Sequence, residues 1–370
     1  MTPSIRWVFI CLALLSRMHA AEPNAAADAW LANASLAPPL KVPTALDAWQ
    51  QQRMQIRAKL NVLLGELPPR PPVSAFKVLS REDKGTYTHE TIQFDNGAGE
   101  IVKGFAFVPK TATAQTKAPA ILYCHWHGGQ YDIGKSELLG TNATPVAPGP
   151  ALAEKGYVVL GIDAPCFGER NGQGPDGPQQ KGSAGEMTAA KFHLWAGRTL
   201  WGMILRDDLT ALDYLCSRPE VDAARVGVTG ISMGSTRSWW IMALDDRPRA
   251  AVCVACMTRY EELIRVGMLK AHGIYYFVPG MLKHFDTEAV IALGAPRAML
   301  FMTGDQDGGS PIEGVKHLGE IVSQVYVLHG DEARQRFENT IYPGIGHVYL
   351  PEMWEKTVKW LNRWVKGEGK

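Results

Sequence analysis

Three short motifs in this chain carry the residue types of a nucleophile, its base and the acid that orients the base. The first is Gly230-Ile231-Ser232-Met233-Gly234, which follows an apolar, β-branched run (Val226, Val228) and precedes a helix-compatible run to residue 244. Strand, sharp turn and helix with a serine at the turn is a nucleophile elbow. The serine takes a strained backbone conformation, and side chains at the flanking glycines would collide with the neighbouring strand and helix. A hydroxyl placed there needs a base to take its proton, and the base needs a partner to fix its tautomer. Downstream, AMLFMTG reads as a strand opening into Gly304-Asp305-Gln306-Asp307-Gly308-Gly309, and FENTIYPG as a strand opening into Gly346-His347 ahead of the last helix. Serine, acid and histidine then follow one another in the order that an elbow of this kind uses. His347 is the expected base, because His317 and His329 lie on a helical segment and His272 and His284 in a variable connection. Asp307 is favoured over Asp305 as the acid, since the chain must run two or three residues past Gly304 before a side chain can turn back to the histidine. Asp305 is then expected to bond nearby backbone amides.

Negative charge developing on a carbonyl oxygen calls for two backbone N–H donors. Met233, directly after the serine at the start of a helix, is expected to supply one. The other is expected from the loop His125-Trp126-His127-Gly128-Gly129-Gln130, with the amide of Gly129 assigned and that of Gln130 as the alternative. His125 and His127 at alternate positions have no third ligand with matching spacing, so neither a metal nor a cofactor is expected.

These motifs need a sheet to bring them together. Strand candidates are Ala120–Cys124, Tyr157–Ile162, Arg225–Thr229, Ala250–Cys256, Ala298–Thr303 and Phe337–Tyr342, with helical patterns near 198–217, 232–244, 311–329 and 351–366. Continuous apolar strands alternating with helices imply an α/β fold with a mainly parallel sheet covered on both faces. Runs at 87–94 and 101–108, separated by Asp95-Asn96-Gly97, add a hairpin. Residues 44–64 have helical spacing and stop before Pro68-Pro69. Residues 44–370 are thus expected to form a single domain with an N-terminal helix, and 21–43 a flexible lead-in. Two longer connections, near 164–197 and 257–288, emerge where ligands sit in open sheets and are candidate pocket walls.

With 46% hydrophobic and 20% charged residues among 370, composition is that of a globular chain. A formal charge of +1 and no basic block argue against nucleic-acid binding. Arg6, the apolar run Trp7 to Leu15 and Met18-His19-Ala20 read as a signal peptide over 1–20, too short to span a bilayer. Its removal takes away Arg6 and Arg17 and leaves 36 basic against 37 acidic residues. No later stretch is apolar enough to span a membrane, and a periplasmic or extracellular location is expected. Five cysteines remain after the leader's Cys11, which does not suggest a disulfide framework. Cys253 and Cys256 have redox-motif spacing but lie in AAVCVACM, a buried-strand run, and are read as core residues that face different sides or bend the strand.

HWHGG, GISMG, GDQD and GIGH at consistent spacing over residues 100–365 give the chain a resemblance to the dienelactone hydrolase and acetyl xylan esterase branch of the α/β-hydrolases. The segment Asp163 to Arg170 is similar to the D-x-x-G-x-x-G-x-R type of loop of bacterial acetyl-xylan-esterase-like proteins. The resemblance implies the α/β-hydrolase fold and cleavage of an ester through an acyl-enzyme. Ser232 favours ester cleavage over dienelactone hydrolysis, which uses cysteine. Met233 stands where glucuronoyl esterases carry an arginine. An acylated carbohydrate is the expected substrate, with Trp126, Gln130, Arg259 and Tyr275 as contacts and Tyr131, Trp195 and Tyr276 as further aromatics near the loops. Arg259 is read either as a donor to a uronate or as a loop salt bridge. Alternatives are a serine peptidase, for which some 80 residues before the core are too few to build a propeller, and another small-ester hydrolase of the same fold.

Overall fold

The computed structural model describes residues 24–368; the leader expected at 1–20 lies outside them. Nine strands form one sheet: β1 (Lys77–Asp83), β2 (Tyr87–Asp95), β3 (Ile101–Pro109), β4 (Ala118–Cys124), β5 (Val158–Ile162), β6 (Val221–Ile231), β7 (Ala250–Val254), β8 (Ala298–Gly304) and β9 (Phe337–Tyr342). Their spatial order is β1-β2-β3-β5-β4-β6-β7-β8-β9. The first three pair antiparallel, as do β3 and β5. From β5 to β9 every neighbouring pair is parallel. The hairpin expected around Asn96 is β2–β3, with Asp95 opposite Ile101.

The central parallel strands are largely apolar because both faces are covered: every residue of β4, β5, β7 and β8 is buried. Successive side chains point to opposite faces, which divides the core in two. Leu122, Cys124, Val228, Cys253 and Phe301 belong to one apolar cluster, and Tyr123, Ile231, Val252 and Met302 to the other. The helices α1 (Ala25–Asn33), α2 (Leu46–Leu64), α3 (Pro148–Glu154), α4 (Gly182–Trp195), α5 (Leu200–Ser217) and α6 (Met233–Leu244) precede β7. Trp49 and Leu60 of α2, Trp201 of α5 and Trp240 of α6 cover the first face. The last α-helix, Pro351–Leu361, covers the second through Met353, Trp354 and Leu361. Among the described residues no helix is long and apolar enough to cross a membrane.

Residues 24–43 differ from the expected flexible lead-in. An alanine-rich run reads as low complexity, yet alanine is the strongest helix former, and 25–33 form α1, capped by the Asn24 side chain. Backbone bonds tie the segment down, from Asn24 N–H to Arg265 O (2.9 Å) and from Ala37 N–H to Leu282 O (2.7 Å). The Leu40 N–H donates to Glu288 Oε1 at 3.1 Å, and Asp28 pairs with Arg265 at 2.5 Å. All these partners lie in the 257–288 connection. Strand β1 was not anticipated either. It is a largely exposed edge strand with a register shift between Val78 and Ser80, so it shows no alternation to read.

Candidate active site

Ser232 sits at the tip of β6 with φ 59 and ψ −121, and its N–H donates to Val254 O at 2.9 Å. The flanking glycines are required by close approach. A Cβ on Gly230 would lie 2.3 Å from the Cys124 carbonyl oxygen, and one on Gly234 would lie 2.0 Å from it. The elbow is thus pressed onto the end of β4. Beneath it Arg237 of α6 donates to both oxygens of Asp208 on α5, at 2.5 and 2.9 Å, and to His125 O at 3.3 Å. Both ions are buried, and the bidentate pairing compensates each charge. Met233 occupies the first position of α6, where an N–H has no partner inside the helix.

Asp307 and His347 follow β8 and β9. His347 Nδ1 lies 2.8 Å from Asp307 Oδ2, and the other carboxylate oxygen accepts the Gly309 N–H at 2.9 Å. Asp305 instead accepts the Gly344 N–H at 2.7 Å and makes no hydrogen bond to His347. Burial opposes charge on both partners, but their attraction and hydrogen bond outweigh it: the imidazole is raised above its ordinary value and the carboxyl lowered. Ser232 and His347 line one cavity of about 1270 Å³ but are not hydrogen-bonded to each other. The serine hydroxyl accepts from the Cys256 thiol at 4.0 Å. Cys256 reaches it because the chain bends after β7, with positive φ at Ala255 (58) and Cys256 (53). The run was read as core; Cys253 is core, whereas Cys256 also faces the cavity. All five described cysteines are free thiols.

The loop after β4 departs from expectation. The N–H of Gly129 donates to the ring Nδ1 of His127 at 3.0 Å, and that of Gln130 to His127 O at 2.8 Å. Both amides assigned to oxyanion binding are therefore already engaged within the loop. Trp126 N–H is also taken, by Glu137 Oε2 at 2.6 Å. Among the described residues, the N–H groups of His127 and Gly128 have no acceptor, and both residues line the cavity with Ser232. His125 faces away, with Nδ1 on Trp126 O and Nε2 accepting the Ala164 N–H.

Glu137 anchors this loop without a salt bridge of its own among the described residues, although the charge of Arg237 acts on it. It accepts from Trp126 N–H and from the Tyr123 hydroxyl at 2.5 Å, and burial pushes its carboxyl up to about 7 in spite of both bonds. A carboxyl raised in the folded state binds its proton more tightly there than in the unfolded chain. Its stabilisation is full below the ordinary value of 4.5 and is lost as pH rises to about 7, a change of about 3 kcal/mol. Glu137→Gln mimics the protonated form. Urea unfolding at pH 4.5 and 7.5 is expected to show the wild type losing that much more stability than the variant; an equal loss in both refutes the burial argument.

The expected substrate contacts divide sharply. Tyr275 lines the cavity. Trp126 does not, because its ring folds over Gly128, where a Cβ would lie 2.6 Å from it. Gln130 is exposed outside the cavity lining. Arg259 is not available to a uronate: it is buried, paired with Glu261, Glu262 and Glu288 at 2.9, 2.8 and 3.4 Å, with Asp286 at 3.9 Å. A buried guanidinium needs such compensation. Trp195 is 95% exposed at the end of α4, and Tyr131 and Tyr276 are also outside the lining. The 257–288 connection supplies Met268, Lys270, His272 and Gly273 to the wall, whereas none of the lining residues comes from 164–197. His272 was passed over in the sequence. Its Nε2 reaches Gly309 O at 3.1 Å, and burial holds its imidazole down at about 4, so it stays neutral.

No family model matches the chain. It is 35% identical over 315 residues to the Bacillus subtilis (strain 168) protein named "Putative hydrolase YtaP", covering 85% of this chain and 100% of that one. Among solved structures it is similar to one from Bacteroides fragilis named a "putative acetyl xylan esterase", with a TM-score of 0.67 and 18% identity over 92% of this chain and 91% of the other. It is also similar to a glucuronoyl esterase from Solibacter usitatus, with a TM-score of 0.64 and 18% identity over 88% and 98%. The sheet order, the elbow and these likenesses agree on the α/β-hydrolase fold, and the extent of identity to the Bacillus protein means that the chain belongs to the same hydrolase family.

Proposed function

We propose that the protein is an exported serine carboxylesterase that removes small acyl groups from carbohydrate. The observation that carries the reading is the set Ser232, Asp307 and His347 after the ends of β6, β8 and β9, around one cavity, with the 2.8 Å bond from His347 to Asp307. Ser232 Oγ attacks the ester carbonyl while His347 Nε2 takes its proton, and Asp307 holds the imidazole through Nδ1. The oxyanion is met by the Met233 N–H and by an N–H of the β4 loop, taken here as that of His127 or Gly128 in place of the engaged Gly129. His347 returns the proton to the leaving alcohol, and water then releases the acyl group from the serine.

The carbohydrate half of the reading rests less on aromatic stacking than the sequence suggested. Seven of the nineteen cavity-lining residues are glycine, and Tyr275 is the one lining residue among Phe, Tyr and Trp. Glycine walls present main-chain donors and acceptors suited to hydroxyl groups rather than a greasy channel for a long acyl chain. Removal of residues 1–20 during export is part of the same proposal, tested by N-terminal sequencing of protein recovered from expressing cells.

Turnover of p-nitrophenyl acetate, a p-nitrophenyl octanoate control, acetylated xylan and a chromogenic peptide tests the reading. Acetate turnover above octanoate, with acetate released from xylan, is the expected result; peptide cleavage without ester turnover overturns it. Because His347 must be neutral to act as base, kcat/KM should fall on acidification through a midpoint above the ordinary histidine value of 6.5. A midpoint well below that value contradicts the part assigned to Asp307.

A further inference from the structure

We infer that Glu186 and His127 are a positioning pair that sets the β4 loop for oxyanion binding; the inference rests on the esterase reading above. Glu186 lies on α4, in the connection that gives the cavity none of its lining, and is 2% exposed. One of its carboxylate oxygens is 3.1 Å from His127 Nε2 and also accepts the Tyr131 hydroxyl at 3.1 Å. The ring of His127 is held on every side: it stacks on Tyr275 with centroids 5.2 Å apart and meets Tyr131 and Phe167 edge-on at 4.9 Å.

The chemistry of the partners orders the rest. A carboxylate only accepts, so Nε2 carries the proton facing Glu186, and a neutral imidazole then has an acceptor at Nδ1. That acceptor takes the Gly129 N–H. The bond curls the loop back on itself through two left-handed residues, Gly128 (φ 53) and Gly129 (φ 71). The curl withdraws the Gly129 amide from the cavity and leaves the main-chain N–H groups of His127 and Gly128, on the wall that carries Ser232, with no acceptor among the described residues. Glu186 touches neither substrate nor serine. It acts through the tautomer of His127, and the ring of that residue aims the loop's own amides.

The test compares His127→Ala, His127→Asn and Glu186→Leu with wild type and Ser232→Ala. Readouts are kcat and KM on p-nitrophenyl acetate, inhibition by phenylboronic acid, whose tetrahedral serine adduct places an oxygen in the oxyanion position, and melting temperature. The main-chain N–H survives every one of these changes, so a merely misaimed donor is expected to cost less than a deleted one. His127→Ala and Glu186→Leu should lower kcat by about tenfold or more with KM nearly unchanged, and weaken the boronate by the same factor. Asparagine presents an oxygen where Nδ1 stood, so His127→Asn should regain most of what alanine loses. The proposal is overturned if the alanine and leucine variants keep kcat within about twofold of wild type, if boronate affinity does not follow kcat, or if asparagine is no better than alanine. Should Glu186→Leu fail to fold, the alanine–asparagine comparison at the half-buried His127 decides alone. An inactive Ser232→Ala beside fully active His127→Ala and Glu186→Leu rejects the pair only, whereas an active Ser232→Ala rejects the esterase reading itself.

Discussion

Ser232→Ala is expected to lower kcat on p-nitrophenyl acetate by about four to six orders of magnitude while leaving a folded protein. The residual rate would come from the cavity and its N–H donors acting on direct attack by water. The neighbouring Cys256 thiol is not a substitute nucleophile, although it lies 4.0 Å from the serine oxygen. Burial, with Asp307 nearby, holds that thiol far above its ordinary value, so almost none of it is thiolate near neutral pH. A fluorophosphonate probe should label the wild type once and the variant not at all. Retained turnover, or a label on another serine, would remove Ser232 from the mechanism. A glycine variant is expected to be equally inactive yet at least as stable as the alanine one, since the position has φ 59, which glycine adopts without strain. Thermal melts of the two variants check this.

The second large effect is expected at Asp307 and not at Asp305. Asp307→Asn should lower kcat by about three to four orders of magnitude, because an amide in place of the carboxylate no longer holds a proton on His347 Nδ1 and favours the wrong tautomer. It also removes the charge that raises the histidine, so the acidic limb of whatever activity is left should move to lower pH. Asp305→Asn keeps an oxygen able to accept the Gly344 N–H and should stay within about threefold of wild type. Equal losses at the two positions would mean that the loop after β8 acts as a unit and that the 2.8 Å contact is not what matters.

Much of this arrangement was legible because its determinants are local. An elbow needs glycines on either side of Ser232, and strand-to-loop transitions at Gly304 and Gly346 announce themselves in a few residues. What escaped depends on partners distant in sequence. The engagement of the Gly129 amide is decided by the His127 ring, whose tautomer is decided by Glu186, 59 residues away. Arg259 stayed open between a uronate donor and a loop salt bridge, because the carboxylates of Asp286 and Glu288 that help to hold it come from the far end of its connection. Helix α4 was hidden by the Gly182-Ser183-Ala184-Gly185 start, a turn-like run whose helicity comes from burying Glu186, Ala189 and Ala190. The edge strand β1 had no alternation for the eye to find.

The ties between residues 24–40 and the 257–288 connection bear on how such a cavity diversifies. One stretch supplies the wall, and another, more than 200 positions earlier, holds that wall's backbone and its Arg265 and Glu288 side chains. The two are therefore one heritable module in two pieces of chain. A transplant of 257–288 between relatives would arrive without its brace unless the opening segment travelled with it, and recombination that separates them would yield a sound sheet beneath an unsupported wall.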